Sequence, residues 1–261
     1  MKTVKLGAIV ALLLCLFVVD QEARAGLAEG VAALQKGDYV AALKELTPEA
    51  ERGNAEAQLY LGDIYDNGKG VEQDAVAAFK WNQMAANQGN HKAEENLGLS
   101  YLKGRGVAKD ATAAMKWLET AANGGNASAQ YQIASMYNKG EGVAQNSALA
   151  MQWLRKSADG RNALALNELG SVYQSGTGVK ADKLLALALY NLSNFSTTSS
   201  PNNKVPNSFV MVKDLTAMEV KDSWNVFCVL GNSKSLIGAL DAYVANPKSI
   251  PANACASNQP K

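Results

Sequence analysis

From Glu51 to Asn194 the apolar and polar positions of this chain recur every 36 residues, with no insertion or deletion. Leu61-Gly62 aligns with Leu97-Gly98, Ile133-Ala134 and Leu169-Gly170, and Tyr65 aligns with Tyr101, Tyr137 and Tyr173. Within one period the pattern predicts two helices. Ala57, Leu61 and Tyr65 follow one another at four-residue steps, which places them on one face of a helix A running from about Ala55 to Asp66. Ala78, Trp81 and Ala85, at steps of three and four, mark one face of a helix B from about Ala75 to Asn87. Between the two stands Gly68-x-Gly70-Val71, repeated at 104–107, 140–143 and 176–179. Glycine reaches positive φ without a Cβ clash, so this loop is expected to stop helix A and turn the chain. Asn54, Asn90, Asn126 and Asn162 precede helix A, and Asp74, Asp110, Asn146 and Asp182 precede helix B. Their short polar side chains suit the N-cap, where they accept from orphan backbone N–H groups. Small Gly62 and Ala78 allow close helix approach, while Tyr65 and Trp81 fill the wider gaps. That spacing reads as core, not as an aromatic ligand box. A fixed period of this length denotes a solenoid whose units pack on their neighbours, an architecture suited to recognition more than to chemistry.

These residues resemble the Sel-1-like repeat, a relative of the tetratricopeptide repeat. Its motif stands here as Ala57, Leu61, Gly62, Tyr65, Gly68, Gly70, Val71, Asp74, Ala78, Trp81, Ala85 and Ala86, in copies over 51–86, 87–122, 123–158 and 159–194. The third copy departs at Ala134, Asn146 and Ser157. The fourth has Leu189 for Trp, Ser193 and Asn194 for the alanine pair, and Arg161 where earlier copies have Gly; terminal repeats are often atypical. Residues 26–50 look like a shorter, tetratricopeptide-like helix pair around Gly37-Asp38-Tyr39, expected to cap the array. The resemblance implies an all-α, right-handed α/α superhelical solenoid with a concave face. It also implies adaptor roles in bacterial envelope signalling or host contact. Residues 195–261 fall outside the period. Ser196–Ser208 reads as a loop. Leu215, Met218, Val226 and Val229 or Leu230 suggest one helix ending at Gly231, and Leu236, Leu240, Tyr243 and Val244 a second ending before Pro247. Both are expected to dock on the last repeat as a C-terminal cap, followed by a polar tail.

The first 25 residues change the picture. Lys2 and Lys5, an apolar run of 14 residues from Leu6 to Val19, and Ala23-Arg24-Ala25 form a secretory signal pattern with the mature start at Gly26. The run is short for a membrane span, which takes about 20 residues, so no stable span is expected after cleavage. Cys15 follows Leu14 where a lipoprotein site wants a small residue, and it is read as discarded with the signal. Periplasmic or secreted residence follows as the expectation. Processing removes Lys2, Lys5, Arg24, Asp20 and Glu22, taking 25 basic and 24 acidic residues to 22 of each. A nucleic-acid binder carries a basic excess, and none remains. Cys228 and Cys255 survive processing, and an even pair in an exported protein reads as a disulfide.

Catalytic signatures are weak. The single histidine, His91, occupies a slot that holds Ala55, Ala127 and Ala163 in the other copies and reads as an exposed first-turn residue. No Gly-x-Ser-x-Gly elbow occurs. Gly68-Lys69-Gly70 lacks the spacing and the Ser or Thr of a phosphate loop, Asp66-Asn67-Gly68 lacks the calcium-loop spacing, and Cys and His are too few for a zinc site. No cofactor or metal is expected. A hydrolase acting on cell-wall or β-lactam compounds is the alternative class, but no nucleophile–base pair supports it. The informative signal is variation on helix A. Slots that hold the fold stay fixed, whereas Tyr60, Asp63, Asn96, Leu99, Gln132, Ser135, Glu168 and Ser171 change character between copies. In tetratricopeptide-type solenoids helix A lines the concave face. These eight residues are therefore expected to contact a protein or peptide partner, in an adaptor or regulator of the bacterial envelope or in a secreted, host-interacting factor.

Overall fold

In the computed structural model the described residues are 25–197, 217–251 and 254. Among them the regular elements are all helical. The signal pattern up to Arg24, the Ser/Asn-rich loop from residue 198 onward, Leu215 and Cys255 lie outside the described residues. The chain divides into two compact units, Met1–Ala121 and Ala122–Lys261. The first contains α1 (residues 25–36), α2 (Tyr39–Glu51), α3 (Ala55–Asn67), α4 (Ala75–Ala86) and α5 (His91–Lys103). Helix α6 (Ala111–Asn123) runs through the boundary. The second contains α7 (Ala127–Lys139), α8 (Ser147–Asp159), α9 (Ala163–Ser175), α10 (Lys183–Thr197), α11 (Ala217–Asn232) and α12 (Leu236–Ala245). A single 3₁₀ turn, Pro247–Ser249, follows.

The helix boundaries are set locally. Asn54 Oδ1 accepts from the Glu56 and Ala57 N–H groups, and Asn90, Asn126 and Asn162 repeat the cap on α5, α7 and α9. Asp74, Asp110, Asn146 and Asp182 cap α4, α6, α8 and α10. Each such cap contributes about 1 kcal/mol. At the other end, Gly68, Gly104, Gly140 and Gly176 are left-handed and return their N–H to the carbonyl four residues back. The loop then closes on itself: the second cap residue donates its own N–H to the conserved-slot tyrosine carbonyl, Asp74 to Tyr65 at 3.0 Å and Asp182 to Tyr173 at 2.8 Å.

In the first unit α2 packs on α3, α3 on α4 and α4 on α5. The N-terminal pair belongs to the same frame as the repeats. Asp38 caps α2 one full period before Asp74 caps α4, and Ala42, Leu46 and Ala50 join the core with Leu61 and Ile64. This pair differs in lacking the Gly-x-Gly-Val loop and in carrying Glu45 in the tryptophan slot. The close approach of helices A and B expected at Gly62 is made against Asn82 of α4, whose side chain a Cβ there would meet at 2.5 Å. Gly98 faces Leu118 in the same manner, and Gly170 faces Tyr190. Trp81, Trp117 and Trp153, read as core, pack at its rim. They are half-buried and lie against the clusters' edges, and Lys156 Nζ stands 4.2 Å over the Trp153 ring. Their indoles are amphipathic plates between core and water. Leu189, in the same slot, is fully buried because α11 packs on α10.

In the second unit α7 packs on α8, α8 on α9, α9 on α10 and α10 on α11. Of the two C-terminal helices expected to dock on the last repeat, α11 packs on its α10, while α12 packs mainly on α8 of the third and reaches the last repeat through Tyr243. Polar side chains explain that route. Arg155 of α8 pairs with Asp241 of α12, and Asp159 accepts from Ser235 Oγ and from Ile237 N–H, both at 3.1 Å. Arg161, at φ +60°, sends its guanidinium to the carbonyls of Leu230, Gly231 and Ser233 at the end of α11. Tyr243 of α12 donates to the Asp182 carboxylate; burial first, and that carboxylate second, push its pKa up.

Candidate partner-binding site

Tyr60 and Asp63 lie on α3, and Asn96 and Leu99 on α5; all four are half-buried. Asn96 joins the two repeats. Its Nδ2 donates to Asp63 Oδ1 at 3.2 Å and to Asn82 Oδ1 at 3.0 Å. Asn82 Nδ2 in turn donates to the Ala78 carbonyl at 2.9 Å. Burial raises the Asp63 pKa above its ordinary value, partly opposed by Lys92 and by the Asn96 bond. Beside them Arg105 Nη2 lies 2.8 Å from the Asp66 carboxylate and donates to the Asp66 carbonyl at 3.2 Å. Asp63, Asn82, Asn96, Leu99 and Arg105 line a small polar pocket of about 130 Å³. Tyr60 stays within its own helix, donating to Glu56 at 3.1 Å.

In the second unit Gln132 and Ser135 are half-buried on α7, Glu168 is half-buried on α9, and Ser171 is exposed there. Glu168 accepts from the Tyr131 hydroxyl, whose pKa is raised by burial and then by this carboxylate. Ser171 hydrogen-bonds the buried Tyr190, which also donates to Gln174 at 2.8 Å. Glu168 lines a cleft of about 560 Å³ together with Ala134, Met151, Leu154, Val172 and Val179. Gln132 and Ser135 line neither this cleft nor the polar pocket of the first unit. Cys228 is buried on α11.

No group of three or more His, Cys, Asp or Glu among the described residues could hold a metal ion. No described helix is long and apolar enough to cross a membrane. His91 has a neighbour that the sequence did not disclose: its Nδ1 lies 2.9 Å from Glu94, one turn on. Glu94 is 3% exposed, so the contact serves a buried carboxylate beside a helix N-terminus, where negative charge is favoured.

The Sel1 repeat family model matches residues 55–90, 91–126, 127–162 and 163–193, more than half of the chain. The chain belongs to the Sel1 repeat family. Among solved structures, a Sel1 repeat protein from Oxalobacter formigenes is 26% identical, with 87% of this chain and 86% of that one covered and a TM-score of 0.60. A protective antigen with the SLR fold from uropathogenic Escherichia coli is also 26% identical at a TM-score of 0.60; the match covers 89% of this chain and 55% of that one. An immunity protein from Pseudomonas aeruginosa shares the fold at 21% identity, with 91% and 88% covered and a TM-score of 0.54. No curated protein gives a significant match. The fold is thus an all-α solenoid of Sel1 helix pairs. Sel1 repeats are in general protein-interaction scaffolds and are typically non-catalytic.

Several contacts of this Sel1 repeat protein join neighbouring repeats through polar side chains. Gln58 Nε2 donates to the Ala50 carbonyl at 2.9 Å, and Gln130 Nε2 to the Ala122 carbonyl at 3.1 Å. Each ties helix A to the end of the preceding helix B. The recurrence of glutamine after Asn-Ala-x-Ala was visible, but nothing in a one-dimensional pattern distinguishes it from a solvent-facing residue. Ser157 and Ser193, counted as departures, donate to the Ala127 and Ala163 carbonyls at 2.6 and 2.8 Å. They exchange a methyl contact for a hydrogen bond at the same junction.

Proposed function

We propose that this Sel1 repeat protein is exported and acts in the bacterial envelope as an adaptor or regulator, binding a protein partner through the exposed part of its helix-A faces. The observation that carries this reading is the set of polar, half-buried side chains on successive A helices, Asp63, Asn96, Gln132 and Glu168. They are presented from a scaffold whose fixed slots are committed to packing. An extended repeat surface suits an extended protein segment, and each repeat adds its own specificity. The signal pattern of residues 1–25 supports export, and the proposal includes a Cys228–Cys255 disulfide in the oxidising compartment. The likeness to a protective antigen supports a second reading, display or secretion toward a host.

The test is in-cell cross-linking of tagged protein followed by mass spectrometry of the retained species, together with fractionation. The expected result is a mature N-terminus at Gly26, envelope residence, and one reproducible partner lost on combining Asn96→Lys with Gln132→Lys. Retention of the partner by that variant would sink the helix-A assignment. Recovery from the medium would favour the host-directed reading.

A further inference from the structure

The Gly-x-Gly loop seals one repeat junction and leaves another open. Between the first and second repeats Gly106 lies against α4 so closely that a Cβ would stand 1.9 Å from the Ala75 carbonyl oxygen and 3.1 Å from Phe79 Cβ. Arg105, next to it, reaches across to Asp66 and closes the remaining space with a charge pair. Between the third and fourth repeats the equivalent Gly178 has no atom within 4 Å of its would-be Cβ. Thr177 stands where Arg105 does, and its hydroxyl is 2.7 Å from Ser175. The opening is about 560 Å³ here against about 130 Å³ there. The walls have changed in step. Leu154 replaces Asn82, Met151 replaces Phe79 and Val172 replaces Ser100, while Glu168 replaces Asn96. The result is an apolar cleft with one carboxylate, in the size range of ligand sites.

We infer that this cleft receives an arginine side chain from the protein partner, paired with Glu168; the slot of Asp66, which Arg105 uses at the sealed junction, holds the neutral Asn138 here. This rests on the protein-interaction reading above. Charge complementarity points to a cation. Glu168 accepts one hydrogen bond from Tyr131, and a carboxylate has about four acceptor positions. Low-dielectric walls strengthen its pull on a second donor. The three-carbon stem of arginine packs on Met151, Leu154 and Val172, and its weakly hydrated planar head pairs with a carboxylate at smaller desolvation cost than an ammonium. Methionine on the wall adapts to the entering chain.

The test maps amide shifts of the purified protein by NMR during titration with blocked pentapeptides Ala-Ala-X-Ala-Ala, X being Arg, Lys, Leu or Glu. The Arg peptide is expected to shift residues 147–154 and 168–179 and to bind about fivefold or more above the Leu and Glu peptides. Glu168→Gln should weaken it by a similar factor. Thr177→Arg, which installs the sealed junction's own residue, should abolish the response while the amide dispersion of the fold persists. Lys or Leu binding as tightly as Arg, an unaffected Glu168→Gln, or no response to any peptide at millimolar concentration overturns the proposal. The last result is also what a cleft filled by the chain's own tail would give. The two readings fail separately. A partner that still cross-links to Thr177→Arg leaves the interaction intact and removes the cleft from it. Arg-peptide binding without any cross-linked partner does the reverse.

Discussion

Arg161 takes the position that holds Gly89 and Gly125 in earlier repeats, and it keeps the positive φ of those glycines. A left-handed non-glycine residue costs about 1–2 kcal/mol, and here three carbonyls at the end of α11 offset that cost. Arg161→Gly relieves the backbone yet is expected to lower unfolding free energy by about 1 kcal/mol. Arg161→Ala, which keeps the strain and loses the bonds, should lower it by about 2–3 kcal/mol. Urea denaturation of both variants checks the order, and equal stabilities would contradict it. The sequence displayed Arg161 as an anomaly but not its reason, because the carbonyls lie 69 to 72 residues away. Asp63 makes a pH-dependent prediction. Its folded-state pKa is raised, chiefly by burial. Its favourable contribution is therefore complete below the unfolded value near 3.8 and is lost as pH rises through the raised value. Asp63→Asn keeps a polar oxygen to accept from Asn96. It should equal or exceed the parent in urea midpoint at pH 7 and lose that advantage below pH 4. A variant markedly less stable at pH 7 would show that the ionised carboxylate is favoured where it sits.

Elements were legible where their determinants are local. Every N-cap residue read from the sequence caps its helix, and each Gly-x-Gly loop turns where expected, because caps and left-handed glycines act within four residues of themselves. What the pattern did not contain is non-local: α12 lies on α8 through pairs such as Arg155 with Asp241, 86 residues apart. The loops supply the sharpest comparison at this scale. Gly106→Ala puts a methyl into the Ala75 carbonyl on a left-handed backbone and should cost about 3 kcal/mol or more. Gly178→Ala meets open space and should cost about 1 kcal/mol, the left-handed penalty alone. Melting curves of the two variants decide; similar losses would mean that the fourth-repeat loop is as tightly seated as the second.

For the whole molecule, repeat proteins sum their stability from units and nearest-neighbour interfaces. The effect of Gly106→Ala should consequently stay local: hydrogen exchange should accelerate in α3–α5 and remain unchanged in α8–α10. Uniform acceleration would mark a single cooperative block. The site was less legible than the fold for a related reason. Variability on helix A singled out Asp63, Asn96 and Glu168. What Glu168 faces, however, depends on Thr177 in the next loop and Leu154 on the preceding helix B, and no one repeat displays that combination. The shared frame of caps, from Asp38 through Asp182, has a last consequence, for descent. The first three repeats each start just after an Asn and end on the next one, so a stretch such as 55–90 is bounded by interchangeable ends. Recombination between these equivalent, in-register stretches can add or delete a whole period without leaving a helix uncapped. Such a chain lengthens by copying, and each new copy acquires its own ligand preference later, through single changes at the loop and at the facing helices.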